Sequence, residues 1–516
     1  MSKSKKAAKS VALIMIFSFG SKILGFMREQ LIAAKFGSDA RTDTFFIAMS
    51  AISLFTLLLT TSINNTMIPI LSEIEIKEGK EGKREHTNNL LNIVMLVSVI
   101  LIIVAWFLAP LLMKVLAFGF GQDQFNLAVL LMRIGLPTIV FASMVGVFRG
   151  YLQSELAFLE SAITGFPFNF VYIFFLVFLS GIFGIKGLMV ASVIAVLSQV
   201  TIQLPDLKKT GYSYKYILDF KDIYVRKIIY LLPPVHVSVG INDVNNIIDK
   251  ALGSRLVEGS ISALNYAARV NNLTTGIFVT AVTTVIYPIL SQEANKENKD
   301  GLKRVIIQGI NVILLITIPA TVGMILLANP IVKVAFQRGE FDAVATYMTA
   351  GALVYYSLGL IGIAFNSFLT RVYYSLQDTR TPMLNSFVMV FINVVFNLIL
   401  IKFMAHRGLA LATSISVIVT SLYLLYGLKK KIGSFGFMQS VQCGLKALGA
   451  AIIMGIVVYF LDRLLTAHMG TSSMGELLAL VVSAGTGALV YSLLIYLFKI
   501  KEVEWAIGMV KTRLGK

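Results

Sequence analysis

Apolar runs of membrane-crossing length recur from one end of the chain to the other, separated by short polar breaks. A helix needs about 20 apolar residues to cross a hydrocarbon core. On that scale the pattern predicts fourteen spans, at 8–35, 42–72, 88–117, 124–150, 157–182, 185–206, 226–251, 259–290, 304–335, 343–373, 381–403, 408–428, 440–462 and 475–499. Several exceed the crossing length, so tilted helices that project beyond the bilayer are expected. The run behind MSKSKKAAKS is too long for the apolar core of a signal peptide, and no small-residue cleavage site follows it. It is read as the first span.

Charge orders these spans. Lysine and arginine concentrate at the amino terminus (Lys3, Lys5, Lys6, Lys9) and in alternate loops: Lys77–Arg84, Lys208–Lys227, Lys296–Arg304, Lys429–Lys446 and the tail from Lys499. With fourteen spans all of these fall on one side. The positive-inside rule makes that side cytoplasmic and places both termini there. The formal charge of +18 is therefore mostly topology and attraction to lipid headgroups, and nucleic acid is not an expected partner.

Composition agrees and excludes several chemistries. The chain is 57% hydrophobic and 14% charged, with a mean hydropathy of +0.80; soluble domains are about a quarter charged. One cysteine, Cys443, excludes an internal disulfide and any cysteine-cluster metal site, and four dispersed histidines argue against zinc. No HExxH, GxSxG, Walker loop or DxD is present, and no loop is long enough to hold a catalytic domain. The chain is expected to be a transporter and not an enzyme, with no cofactor.

A repeat divides it further. IPILSE (68–73) after the second span matches YPILSQE (287–293) after the eighth, 219 residues later, and a polar basic loop follows each. Six spans make one copy, so both copies share one orientation, as in parallel repeats about an axis along the membrane normal. The divisions expected are 1–220 (spans one to six), 221–435 (seven to twelve) and 436–516 (the last two spans and the tail). Two facing six-helix lobes suggest a central cavity and alternating access.

Some cations lie inside spans: Lys22, Arg28, Lys114, Arg133, Arg269 and Lys333. Lys114 and Lys333 are near helix ends and can snorkel. Lys22 and Arg28 stand six residues apart in SKILGFMREQ, about 9 Å along a helix and about 120° around it, so they can border one cavity without stacking. Arg269 sits in the polar patch NYAARVNN. Two readings stay open. The cations pair internally, Arg28 with Glu29 or Asp43 and Arg269 with Asp249 or Asp243, or they line an aqueous pathway. Cations in both repeats favour an anionic substrate, and arginine's planar fork suits phosphate or pyrophosphate. Gly20 and Gly25 allow the first helix to bend or to admit a neighbour. Pro233-Pro234 predicts a break in the seventh span. That span also carries His236, Asn242, Asp243 and Asp249, either as interhelical hydrogen bonds or as a cation or proton site.

SKILGFMREQLIAAKFGSDARTDTFFIA (21–48), followed by IPILSE, resembles the opening of the MurJ/MviN family. LNYAARVNNLTTGIFVTAVTTVIYPILSQ (264–292) resembles its eighth-span signature, and VAFQRGEFDA (334–343) and YYSLGLIGIAFNSFLTRVYYSLQDTRTPM (355–383) resemble later motifs. The resemblance covers about 12–430. It implies an all-α polytopic membrane protein of the multidrug/oligosaccharidyl-lipid/polysaccharide exporter superfamily, with fourteen transmembrane helices, two six-helix lobes in a V-shaped arrangement and two C-terminal helices that form a groove for a polyprenyl tail. It implies a flippase for lipid II, the undecaprenyl-pyrophosphate-linked peptidoglycan precursor, in the bacterial cytoplasmic membrane. Another polyprenyl-linked glycan, or a non-transporting scaffold among cell-wall synthesis proteins, are the alternatives. Lys22, Arg28 and Arg269 are the implied substrate-binding residues; Glu29 and Asp43 would pair with these cations or close an outer gate; Asp249 and Asp243 would form a coupling-cation site. Coupling to a monovalent cation or to the membrane potential is expected. Where family members often carry a further arginine in the second span, this chain has Thr56.

Overall fold

The computed structural model describes residues 3–157, 159, 163–294, 296, 299–469, 472–500 and 502–503; side chains in 1–12, 57–65, 231–243 and 277–288 are largely outside the description. Its elements are helical: α1 (Lys3–Phe36), α2 (Ala40–Leu116), α3 (Gln122–Gly135), α4 (Thr138–Ser154), α5 (Gly165–Phe174), α6 (Ser180–Lys209), α7 (Ile223–Gly253), α8 (Ser260–Ala294), α9 (Asp300–Leu326), α10 (Ala328–Phe336), α11 (Ala343–Leu358), α12 (Leu360–Ser375), α13 (Arg380–Met404), α14 (His406–Ile432), α15 (Phe437–Met469) and α16 (Ser473–Leu497). A single π turn, Phe175–Leu179, joins α5 to α6. This is an all-α polytopic membrane fold. Among the described residues eight helices are long and apolar enough to cross a membrane, or nine if the bent pair α11–α12 is one span. The described residues of the fourteen predicted segments are largely helical.

Several breaks depart from the sequence pattern for local reasons. Residues 73–87, expected as a loop, are helical on both sides of Gly79, because Glu, Lys and Arg are good helix formers and Glu73 holds Lys77 one turn on at 2.8 Å. At Gly79 (φ 73°) the chain kinks, so that α2 is two helices joined there, and the turn brings Lys83 back to Glu75 and His86 back to Glu78. The tenth predicted span bends by 43° at Gly359. Ser414 Oγ from α14 donates to the Tyr355 carbonyl at 2.6 Å, and an intruding hydroxyl of this kind kinks a helix. The expected break at Pro233-Pro234 is not seen: α7 stays helical through it. Proline's fixed φ is itself a helical value, and the helix bears both the missing backbone donors and the crowding of each ring against the carbonyl four residues back.

Packing divides the chain into two units. The first comprises Met1–Ser262 with Arg338–Phe341, and the second Ala263–Gln337 with Asp342–Lys516. In the first, α2 packs on α3, α4 and α7, and α1 packs on α5. The 220/221 division read from the repeat is a topological one. By contact, α7 lies with the first unit because it packs along α2.

At its basic end the first unit is tied by side chains from HTNNLLN (86–92). The linker before α7 is irregular, so its backbone groups need side-chain partners. Asn88 and Asn92 donate to the Ser213 and Ile217 carbonyls, each at 2.9 Å. Asn89 donates to the Asp219 carbonyl at 2.9 Å and accepts from its N–H at 2.7 Å. Tyr214 Oη closes on Asn92 at 2.8 Å. Asp222 caps α7 through the Tyr224 and Val225 N–H groups and accepts from His86 Nδ1 at 2.6 Å, while His86 Nε2 meets Glu78 at 2.8 Å. Beside this clamp the fully buried Lys83 lies between Glu75 (2.8 Å) and Glu155 (2.5 Å), under the Tyr151 ring.

The clamp has a pH signature. The bond to Asp222, then that to Glu78, raises His86 to about 9 against the opposing effect of burial. A folded-state value above the ordinary one of about 6.5 stabilises fully below that value, and the stabilisation is lost as pH rises through about 9. The melting temperature of the wild type should therefore fall between pH 8 and pH 10 by more than that of His86→Gln. Equal slopes in the two proteins would show that His86 does not hold the clamp.

In the second unit, Leu302, Ile306 and Ile310 of α9 pack with Phe368, Val372 and Tyr373 of α12 and Leu424 of α14. The last two helices dock through small residues. Ala447, Ala450, Ala451 and Val458 of α15 are buried with Leu315 and Ile318 of α9, and Tyr491 Oη of α16 donates to the Leu315 carbonyl at 2.8 Å. Small interfaces of this kind let membrane helices approach closely. Leu445, Ile456, Phe460, Leu489 and Leu493 point outward and remain exposed, a lipid-facing surface.

Candidate functional site

The charged patch of α1 is held by α5. Close approach comes at Gly165, where an added Cβ would lie 1.9 Å from Ser21 Oγ. One helical turn along, Asn169 Nδ2 donates to the Gly165 carbonyl at 2.8 Å and to the Ser21 carbonyl at 3.3 Å, which leaves its Oδ1 facing Arg28 Nη1 at 3.1 Å. Arg28 Nη2 meets Glu29 Oε1 at 2.7 Å. The rings of Phe168 and Tyr172 lie 5.3 and 5.1 Å from the guanidinium carbon, in reach of a cation–π attraction worth up to about 2 kcal/mol when desolvated. The Arg28 side chain is 15% exposed and that of Glu29 4%.

Of the two readings of the intramembrane cations, the internal pairing is what Arg28 shows. It is paired, with Glu29 and not Asp43, and it keeps reactive capacity. A guanidinium has five N–H donors, and Arg28 spends two on protein acceptors. The remaining ones, with a partly open edge, can take the oxygens of an incoming phosphate.

Lys22 lies on the same uninterrupted helix, exposed, and makes no hydrogen bond or ion pair with a described residue. Arg269 is exposed on α8 in the second unit, two residues before the buried Asn271. Asp249 is buried on α7, next to Lys250, whose Nζ donates to Ser50 Oγ of α2 at 2.7 Å. The side chain of Asp243, like those of His236 and Asn242, lies outside the described residues. Among the described residues no three His, Cys, Asp or Glu side chains are grouped so as to hold a metal ion.

Asp43 does different work from an ion pair. Its buried carboxylate accepts from the Gly259 N–H at 2.8 Å, the Ser262 N–H at 2.7 Å and Ser262 Oγ at 2.5 Å. These donors form the N-terminus of α8, where unsatisfied N–H groups and the helix dipole favour an anion. Around this cap three loops of the first unit interlock. Ser38 Oγ donates to the Gly259 carbonyl at 2.9 Å, and the Glu340 N–H to the Ala34 carbonyl at 2.9 Å. Gly259 (φ +84°) and Gly339 (φ +60°) adopt left-handed backbone, and a Cβ on either would lie 2.3 Å from the Ser38 carbonyl oxygen or 2.2 Å from that of Ala34. Only glycine fits both the conformation and the space.

Sequence reasoning missed several polar residues. Arg149, at the end of α4, donates to Thr164 Oγ1 at 3.2 Å. On α13 and α14, Asn397 Nδ2 donates to Asn393 Oδ1 at 2.6 Å and Asn393 Nδ2 to Thr413 Oγ1 at 3.2 Å, a neutral chain inside the second unit. Its one sequence signal is NVVFN (393–397), two asparagines a helical turn apart in an apolar run. Thr56 bonds the Ser53 carbonyl of its own helix at 3.4 Å.

Comparison with known proteins fits this geometry. The model of the lipid II flippase MurJ family matches residues 32–480. The probable lipid II flippase MurJ of Rickettsia prowazekii (strain Madrid E) is 28% identical over 475 residues, which cover 89% of this chain and 92% of the relative. That of Vibrio cholerae is 28% identical over 518 residues, 98% of each chain. Among solved structures, lipid II flippase MurJ in an inward closed conformation superposes with a TM-score of 0.79 at 25% identity, over 94% of this chain and 98% of that one. An inward-facing multidrug resistance MATE transporter of the MOP superfamily shares the fold, with a TM-score of 0.64 at 16% identity over 82% of this chain and 99% of that one. The chain belongs to the lipid II flippase MurJ family.

Proposed function

We propose that this chain translocates lipid II from the inner to the outer leaflet of the bacterial cytoplasmic membrane by alternating access, with both termini in the cytoplasm. Family membership sets the class of activity. The observation on this chain that carries the reading is Arg28, an arginine deep in a membrane helix, fixed by Glu29, Asn169 and two aromatic rings yet holding unspent donors. Pyrophosphate is the part of the substrate that needs such a fork. Lys22, on the same helix, and Arg269, in the other repeat, are the further substrate cations of this reading. Glu29 balances Arg28 when the substrate is absent, and the Asp43 cap serves as an outer latch.

Resetting an unloaded cationic transporter draws on the membrane potential, at about 2.3 kcal/mol per charge per 100 mV. Asp249 with Asp243 is the place for a coupling monovalent cation. Cell-wall synthesis proteins are the expected protein partners. The test is complementation. In cells depleted of their own flippase, expression of this chain should restore lipid II at the outer face, read by its accessibility to an added enzyme or probe. Membrane-inserted protein with no lipid II outside would reject the reading. Collapsing the potential and the ion gradients in vesicles should slow translocation; unchanged flipping would remove the coupling proposal alone.

A further inference from the structure

The second unit holds a polar cleft of about 620 Å³ where α10, the end of α15 and the start of α16 meet. Asn329, Lys333, Asp462, Arg463, Thr466 and Glu476 give it its polar lining. This end of the helices is opposite the lysine-rich end of α14, so the charge rule assigns it to the outer leaflet. Lys333 and Glu476 close on one another as a salt bridge. Asp462 and Arg463 do not: neither makes a hydrogen bond or ion pair with any described residue, and Arg463 rests on the Tyr459 ring at 4.6 Å.

We infer that this cleft binds the headgroup of a zwitterionic phospholipid bearing a primary ammonium, of the phosphatidylethanolamine kind, with its phosphate on Arg463 and its ammonium on Asp462. Three observations point to that occupant. The four charged side chains of the cleft sum to zero, and after the internal pair one charge of each sign is left over. A simple anion would face Asp462 and Glu476, and a simple cation would face Lys333 and Arg463, whereas a zwitterion meets both. The cleft lies at the ends of membrane helices, at headgroup depth. Below it, toward the bilayer, Ile456, Phe460 and Val481 are exposed on α15 and α16, an apolar surface along which acyl chains can lie.

The inference stands apart from lipid II transport and is tested without it. Delipidated chain is titrated with phosphatidylethanolamine, phosphatidylcholine and phosphatidylglycerol, and bound lipid is counted by native mass spectrometry. Phosphatidylcholine has no N–H to donate, and phosphatidylglycerol has no cation. Wild type should bind phosphatidylethanolamine most tightly. Asp462→Asn should erase that preference, about a tenfold change for one charge-assisted hydrogen bond. Arg463→Gln should weaken all three lipids together, and Asp462→Glu should recover the preference. Thermal melting in detergent shows that the variants are folded. Equal binding of the three lipids by wild type, tightest binding of phosphatidylglycerol, or a preference that survives Asp462→Asn would each overturn the inference.

Discussion

Arg28→Ala should abolish lipid II translocation while the protein still reaches the membrane. The loss has two components that a second variant separates. Removing the guanidinium strips Glu29, which is nearly fully buried, of its charge partner at 2.7 Å. Breaking a buried pair by deleting one member costs about 3–5 kcal/mol, because the other charge remains. Part of the defect will therefore be instability, seen as a lower melting temperature in detergent. Arg28→Gln combined with Glu29→Gln removes both charges and keeps similar volume, so it should recover most of the melting temperature. It should not recover transport, because the fork proposed to take the pyrophosphate is still missing. Arg28→Lys keeps the charge but offers a point donor where two parallel N–H groups are needed, and it should be closer to alanine than to wild type. Recovery of outer-face lipid II by the double variant would show that Arg28 acts through stability, and the substrate contact would have to be sought at Lys22 or Arg269.

The residues that could be read from sequence and those that could not divide along a physical line. The spans follow from a pattern carried by each segment alone, apolar length, and the described residues of the predicted segments are largely helical. The Arg28–Glu29 pair was one of two open readings because the partners are neighbours in sequence. What fixes the fork was not legible. Asn169 lies 141 residues away, and Phe168 and Tyr172 look like any aromatic residues of a lipid-facing helix. The bend at Gly359 has its cause in a serine of another helix. The asparagines of HTNNLLN fall at the start of the third predicted span, yet they supply a backbone's missing partners across the linker. Asp43 is paired with the Gly259 and Ser262 N–H groups and the Ser262 hydroxyl, and backbone donors leave no mark on the sequence.

Those partners make the second large prediction. Asp43→Ala withdraws acceptors from the Gly259 N–H, the Ser262 N–H and Ser262 Oγ, all buried. Each orphaned donor costs about 1–3 kcal/mol, and losing an anion from a partly buried helix N-terminus costs up to about 2 more. Under the proposed orientation the cap lies on the outer side, so its loss should open the chain from outside. Ala33, fully buried one turn below the interlocked loops, is a suitable reporter. In a background with Cys443→Ser, Ala33→Cys should react slowly with a membrane-impermeant maleimide, and Asp43→Ala should make it react quickly. Gly339→Ala tests the same closure without touching charge, since a Cβ there would meet the Ala34 carbonyl oxygen at 2.2 Å. It too should speed labelling. Faster labelling by Gly339→Ala but not by Asp43→Ala would leave the loops as the closure and the carboxylate as a helix cap only. No change in either would place the outer closure elsewhere. Transport should fall in both variants even though the outer side opens more readily. A carrier that alternates needs its two states within reach of the binding energy its cargo supplies, and a latch several kcal/mol too weak starves the inward state of population as surely as one too strong traps it.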